Sequence, residues 1–277
     1  MKLTEDQLSI FLWISLVKPN AYLKEIQDFM QHVGHVTMSQ STISNYHSRL
    51  GFTSKTMSYY SANRDEADRV AFWVNPLLHE TRPGVRDVTF DQMIDIDECC
   101  IIEEQCSRRR GRSLRGQPAR MQGRPPHGKR WTALIAVDAN KGVVARMLYE
   151  GGTTNDIFLF FIQFHLLPAI NEGGCRVLTF DNLAAHLNPE VRIAINTEGH
   201  SMVLRPKHSP DFGGVEWVFS YVRAFLAHFE SQITSANLYD AISYGLDLVT
   251  GDLVAAFMAD AHFNVPHLPY KPYMGQQ

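Results

Sequence analysis

The sequence is poor in cysteine, has no long unbroken apolar run and contains no internal repeat, and each absence narrows the field. Its 277 residues include four cysteines, Cys99, Cys100, Cys106 and Cys175. None stands in the paired C-x-x-C spacing of a zinc site, so they read as free thiols rather than as staples. The most apolar stretch, residues 157–170, is too short for a bilayer and is broken by Gln163 and His165. The opening MKLTEDQLSIFLWISLVKPN lacks the basic segment and small-residue cleavage site of a secretory leader. An intracellular protein without a membrane partner is expected. With 45% hydrophobic and 20% charged residues, the chain can bury a sizeable core.

The formal net charge of -3 does not announce a polyanion partner, but the distribution of charge does. Between positions 108 and 130 stand Arg108, Arg109, Arg110, Arg112, Arg115, Arg120, Arg124, Lys129 and Arg130, without a single acid. Gly and Pro recur there, so the segment reads as a loop or arm. A run so one-sided suits a phosphate backbone, where each neutralised phosphate releases counterions.

The first eighty residues read as helices. Tyr22, Leu23, Ile26, Phe29, Met30 and Val33 recur at helical spacing before Gly34. Ser39 then suits the N-cap of a second helix with Ile43, Tyr46 and Leu50 inward and Gly51 at its end. Such a pair has the form of a helix-turn-helix, whose second helix enters the major groove. Gln40, Ser41, Ser44, Asn45 and Ser48 lie off the apolar stripe and carry side chains suited to base edges and phosphates. A further helix over 63–79 is expected to close a domain of residues 1–80, with 81–89 as linker.

From residue 90 onward, strands and helices alternate. FDQMIDID reads as a strand, WTALIAVD and GVVARMLYE as a hairpin around Ala139-Asn140-Lys141-Gly142, and NDIFLFFIQFHLLPAI as a helix. CRVLTFDN and SMVLRP read as buried strands, VRIAINTEG and VEWVFSYVRAFLAHF as helices. This order predicts an α/β domain over 90–277, a mixed sheet flanked by helices, as in RNase H-like folds.

Three acids stand out within it. Asp97 is expected at the end of the first strand beside Glu98, Asp181 follows the apolar run Val177-Leu178-Thr179-Phe180, and Glu216 opens a helix. Carboxylates gathered in this way raise one another's pKa unless a cation joins them. Magnesium favours oxygen ligands, and a pair of ions suits in-line phosphoryl displacement. The interval between Asp181 and Glu216 is 34 residues.

LTFDNLAAHLNPEVR and RPKHSPDFGGVEWVFSYVRAFL resemble the second and third motifs of mariner-type transposases, and IDIDE resembles the first. STISNYHSRLGFTSKT looks like the second helix-turn-helix of that family, and RDEADRVAFW like its lead-in to the catalytic domain. The resemblance implies an RNase H-like DDE catalytic domain that cuts and transfers DNA strands at element ends. It implies Asp97, Asp181 and Glu216 as ligands of two Mg²⁺ or Mn²⁺ ions, with Glu98, Asn182 and His186 supporting them. Lys207 and His208 would lie along the substrate backbone, and the Arg-rich loop would touch DNA or a partner subunit. The implied partners are double-stranded DNA with terminal inverted repeats, TA target sites and a second copy of the chain on paired ends. A nuclear location follows if the host is eukaryotic.

Two departures from the family pattern leave an alternative open. Gly213-Gly214 stands where the family has Asn-Pro, and a Gly pair loosens the approach to Glu216. There is also room for only one helix-turn-helix where the family carries two. A DNA-binding protein derived from a transposase, with weakened chemistry, is the second reading.

Overall fold

The computed structural model describes residues 2–54, 61–107, 112–113, 115–118, 120 and 129–261. The chain divides into two units, 1–60 and 61–277.

The first unit packs α1 (Glu5–Val17), α2 (Leu23–His32) and α3 (Gln40–Arg49) around Phe11, Ile14, Ile26, Met30, Met38 and Ile43. Thr4 caps α1 by accepting the Gln7 N–H, while the Gln7 side chain accepts the Thr4 N–H. Ser39 caps α3 through the Thr42 N–H at 3.1 Å. Gly51, with φ of +80°, turns the chain away in the left-handed region that a Cβ disfavours. Tyr46 is half-buried, and its hydroxyl accepts the Leu3 N–H at 2.9 Å. Leu50, expected inward, is instead exposed because the helix ends there. Gln40, Ser41, Ser44, Asn45 and Ser48 form an exposed polar face of α3.

The second unit is built on a five-stranded sheet in the order β3-β2-β1-β4-β5. Its strands are β1 (Met93–Ile102), β2 (Arg130–Asp138), β3 (Gly142–Tyr149), β4 (Val177–Phe180) and β5 (Ser201–Leu204). The first three pair antiparallel, whereas β4 runs parallel to β1 and β5 parallel to β4. Strand periodicity assigns the faces. Ile94 and Ile96 of β1 enter one core, while Met93, Cys99 and Ile101 enter the other. The first face is covered by Phe158 and Phe161 of α5 (Asn155–Phe161), by α6 (Leu167–Ile170), and by Val191 and Ile195 of α7 (Pro189–Thr197).

The opposite face is covered by α8 (Gly214–His228), whose Val215, Val218, Phe219, Val222 and Leu226 make one apolar stripe. Two helices that the pattern reading did not separate, α9 (Leu238–Asp247) and α10 (Gly251–Asp260), extend the same core. Among the described residues, no single helix is long and apolar enough to cross a membrane.

The expected boundary at residue 80 is corrected. The helix read over 63–79 spans Glu66–Val74 (α4) and belongs to the second unit. Its buried Arg69 forks onto both carboxylate oxygens of Asp211, at 3.0 and 2.7 Å, and lies 3.8 Å over the Phe212 ring. Phe72 stacks on the same ring. The stretch 81–89 is not a free linker either: Val85 is buried and donates its N–H to the Phe72 carbonyl. These contacts anchor the loop that carries Asp211 and Phe212 into α8.

Candidate active site

Asp97 is not at the end of its strand, as expected, but in the middle of β1, opposite Ile135 of β2. The parallel pairing with β4 stops at Asp95, however. Beyond that point β1 has a neighbour on only one side, so Asp97 opens onto the cleft at the carboxyl end of β4. Asp181 is the first residue after β4, and Glu216 the third of α8. All three line one cleft of about 460 Å³, together with Asn182, Lys207 and His208. Residues 97, 181 and 216 thus meet from three elements that the sheet order brings together.

The electrostatics reflect this crowding. Burial pushes the Asp97 carboxyl up to about 7; the charges of Glu216 and Asp181 add to the rise and Arg205 opposes it. Glu216 is also raised, chiefly by burial, against the pull of Arg205 and Arg223. Asp181 goes the other way. Against the upward push of burial, hydrogen bonds from His186 and from the Leu183 N–H hold it below the usual carboxylate range.

His186 sits inside the protein between two acids. Its Nδ1 lies 2.7 Å from Oδ1 of Asp181 and its Nε2 3.2 Å from Oε2 of Glu98. The ring packs 4.0 Å, centroid to centroid, from Phe158. Burial alone would lower its pKa, but the two carboxylates override that and raise it to about 9. Glu98 reaches this ring because it points to the sheet face opposite Asp97. The structure thus links Glu98, His186 and Asp181 in a chain. Asn182 is turned elsewhere: its amide donates to the Arg205 carbonyl and ties the end of β4 to the end of β5.

The raised His186 pKa predicts a pH dependence with a definite sign. A His held protonated in the fold stabilises it fully below the unfolded value near 6.5, and that contribution is lost as pH rises through about 9. In metal-free buffer the melting temperature should therefore fall between pH 7 and pH 9.5. The fall should be shallower in His186→Gln, which carries no titrating group. Identical slopes in the two proteins would remove the imidazolium from this position.

Lys207 and His208 are exposed at the cleft rim, and His208 adopts φ of +57°, a conformation that non-glycine residues seldom take. Arg112, Arg115, Arg120 and Lys129 are exposed in the connection between β1 and β2. Arg108, Arg109, Arg110 and Arg124 lie outside the described residues.

Two buried participants stand within the quoted motifs but were given no role there, Asp95 and Arg205. Asp95 carried a signal, since it stands two residues before Asp97 and so shares its face of β1. Arg205 carried only its position, a cation directly after an apolar strand. Its Nη2 donates to Oδ2 of Asp97 at 2.6 Å.

As ligand chemistry, three carboxylates in one cleft suit a hard divalent cation, and a cation there would oppose the burial that raises Asp97 and Glu216. Among the described residues, no group of three acidic, His or Cys side chains already encloses a point where an ion would sit. Arg205 is the cation now among them.

A mixed sheet of this order, with carboxylates from β1, the end of β4 and α8 at one cleft, is an RNase H-like arrangement. The family model described as DDE superfamily endonuclease matches residues 92–238, a span that includes all three acids. The chain belongs to that family. Among solved structures, a pre-cleavage Mos1 transpososome is similar with a TM-score of 0.66 at 16% identity, over 95% of this chain and 76% of that one. The Mos1 mariner paired end complex with Mn gives 0.64 at 15% identity, over 92% and 74%. A Mos1 transposase paired-end complex with left transposon end gives 0.63 at 15%, over 95% and 76%. At such identity the likeness establishes the shared fold. No curated protein sequence matches this one.

Proposed function

We propose that this protein is a mariner-type DNA transposase that cuts DNA at the ends of an element and joins the freed ends to a target. The observation that carries this reading is the meeting of Asp97, Asp181 and Glu216 in one cleft of a DDE-family domain. These are the residues that would hold two Mg²⁺ or Mn²⁺ ions, which would neutralise phosphate oxygens and favour the attacking hydroxyl.

Around them the chain's own groups position and neutralise. His186 holds the Asp181 carboxylate in one orientation and is itself held by Glu98. Lys207 and His208 at the rim face the path of a phosphate backbone. A larger groove of about 690 Å³ opens beside the cleft and shares Asn182, Arg205, Pro206 and Lys207 with it. Arg82 and Arg192 stand on its walls. Arg82 pairs with Asp68 at 3.0 Å and Glu80 shares the wall, so Arg192 and Lys207 are the side chains that support a strand led past the acids, with electrostatic rather than sequence-specific contacts. Sequence would be read by the exposed face of α3, from Gln40 to Ser48, in a terminal repeat. A second copy of the chain on paired ends and a TA target site complete the reading, in a nucleus if the host has one.

The test is nicking of supercoiled plasmid DNA by the full chain with Mg²⁺, with Mn²⁺ and with chelator, beside an RNA–DNA hybrid. Nicking of duplex DNA that requires the metal, with the hybrid left intact, is expected. Preferential cutting of the hybrid would make it a different RNase H-like nuclease. Salt-dependent DNA binding without cutting in either metal would favour the second reading, a DNA-binding derivative. The observation on that side is the guanidinium of Arg205 already paired with Asp97.

A further inference from the structure

Arg205 follows β5 directly and is only 2% exposed. Its Nη2 donates to the Ile96 carbonyl at 3.1 Å as well as to Asp97, and its Nη1 lies 3.8 Å from Oδ1 of Asp95. Asp95 is fully buried. Its Oδ1 accepts the Thr179 hydroxyl, and its Oδ2 accepts the Val215 N–H, both at 3.0 Å. Val215 lies in the first turn of α8, one residue before Glu216. Asp95 therefore caps that helix from another element, as a carboxylate at a helix N-terminus does. A single guanidinium stands between this cap and Asp97.

Gly213 faces the same guanidinium. Its φ of -100° and ψ of 117° are extended backbone that any L residue adopts, so conformation does not require glycine. Space does. A Cβ at position 213 would overlap Nη1 of Arg205 and stand 3.0 Å from its Cζ and 3.5 Å from Oδ2 of Asp95. The Asn that the family resemblance leads one to expect here has no room beside Arg205. The Gly pair is thus filled from outside rather than slack: Arg205 packs on Gly213, and Met258 lies against the Cβ position of Gly214.

We propose that Arg205 is a positioning residue of the acidic site, fixing Asp97 directly and the first turn of Glu216's helix through Asp95, and that position 213 is glycine to seat it. This rests on the reading of the site as a metal-dependent strand-cutting centre. The guanidinium supplies, with one buried cation, the rigidity that a Pro at the first position of the helix would supply from within the loop. Arg suits this task because its planar fork holds two nitrogens in fixed positions, Nη2 on Asp97 and Nη1 facing Asp95, whereas the three N–H donors of an ammonium share one nitrogen.

The experiment is a cycle of four full-length proteins: wild type, Gly213→Ala, Arg205→Lys and the double variant. Lys keeps the positive charge but lacks the Nη1 atom that a Cβ at 213 would strike. Mn²⁺ affinity is read from the electron paramagnetic resonance of the metal alone, the nicking rate at saturating Mn²⁺, and the fold by melting. Gly213→Ala should lose about tenfold or more in rate, the scale on which small displacements of a reacting constellation act, with a weaker Mn²⁺ affinity. Arg205→Lys should lose a comparable amount while still folded. The double variant should be no worse than Arg205→Lys alone. A Gly213→Ala protein equal to wild type, or losses that multiply in the double, would overturn the seat. If Gly213→Ala does not fold, folding restored in the double supports the seat. A folded Arg205→Lys with unchanged Mn²⁺ affinity and rate overturns the positioning role. If the wild type nicks no DNA, the functional reading fails on its own, and coupling between positions 205 and 213 in Mn²⁺ affinity and melting still decides this one.

Discussion

Asp181→Asn is expected to abolish metal-dependent nicking, by on the order of a thousandfold or more, while leaving the fold in place. The substitution removes one negative charge from a set of three and leaves a neutral carbonyl as the donor toward a cation. The local structure has little reason to change. The Asp181 side chain is 50% exposed, and its Oδ1 accepts the Leu183 N–H at 3.0 Å, which the Asn carbonyl can accept equally. The bond from His186 Nδ1 can persist to the same oxygen. Melting within a few degrees of wild type together with lost nicking is the expected pair of results. Equal nicking by the variant and wild type would remove Asp181 from the chemistry, and with it the three-acid assignment.

The largest effect on stability is expected at Asp95→Ala, a residue of the first motif that is not one of the three cleft acids. Asp95 is fully buried, and its loss would leave the Val215 N–H and the Thr179 hydroxyl without their acceptor. It would also leave buried Arg205 with Asp97 as its one remaining carboxylate neighbour within 4 Å among the described residues. Breaking one partner of a buried ionic group typically costs about 3–5 kcal/mol, a large part of the ~5–15 kcal/mol by which a domain is stable. Urea unfolding should show this as a midpoint shift. Asp95→Asn should fall between, since it keeps an acceptor for Val215 and loses the charge. A loss below about 1 kcal/mol in Asp95→Ala would mean that α8 needs no cap from β1.

Both expectations turn on what could be read before the fold was known. Local chemistry was legible. The Ser39 cap and the Gly51 stop of α3 follow from side-chain hydrogen bonding and from the absence of a Cβ, and both are seen. The hairpin of β2 and β3 and the stripe of α8 follow from periods of 2 and 3.6. Asp97, Asp181 and Glu216 were singled out by their motifs and their interval. Their meeting in one cleft depends on a sheet order that no local pattern contains.

Other features were out of reach for the same physical reason. Periodicity shows that a helix has a buried face but not which core receives it, so α4 was assigned to the first unit although Arg69 and Phe72 pack on Asp211 and Phe212. The bond from Arg205 to Asp97 spans 108 positions and the one from Val215 to Asp95 spans 120, distances at which spacing carries no information. Gly213-Gly214, taken from the sequence as a loosening of the approach to Glu216, is the plainest case. The sequence by itself determined that the loop lacks Cβ atoms at this point. Only the tertiary structure decided what fills the space, because a buried guanidinium must lie beside its carboxylates and the backbone at 213 yields the room.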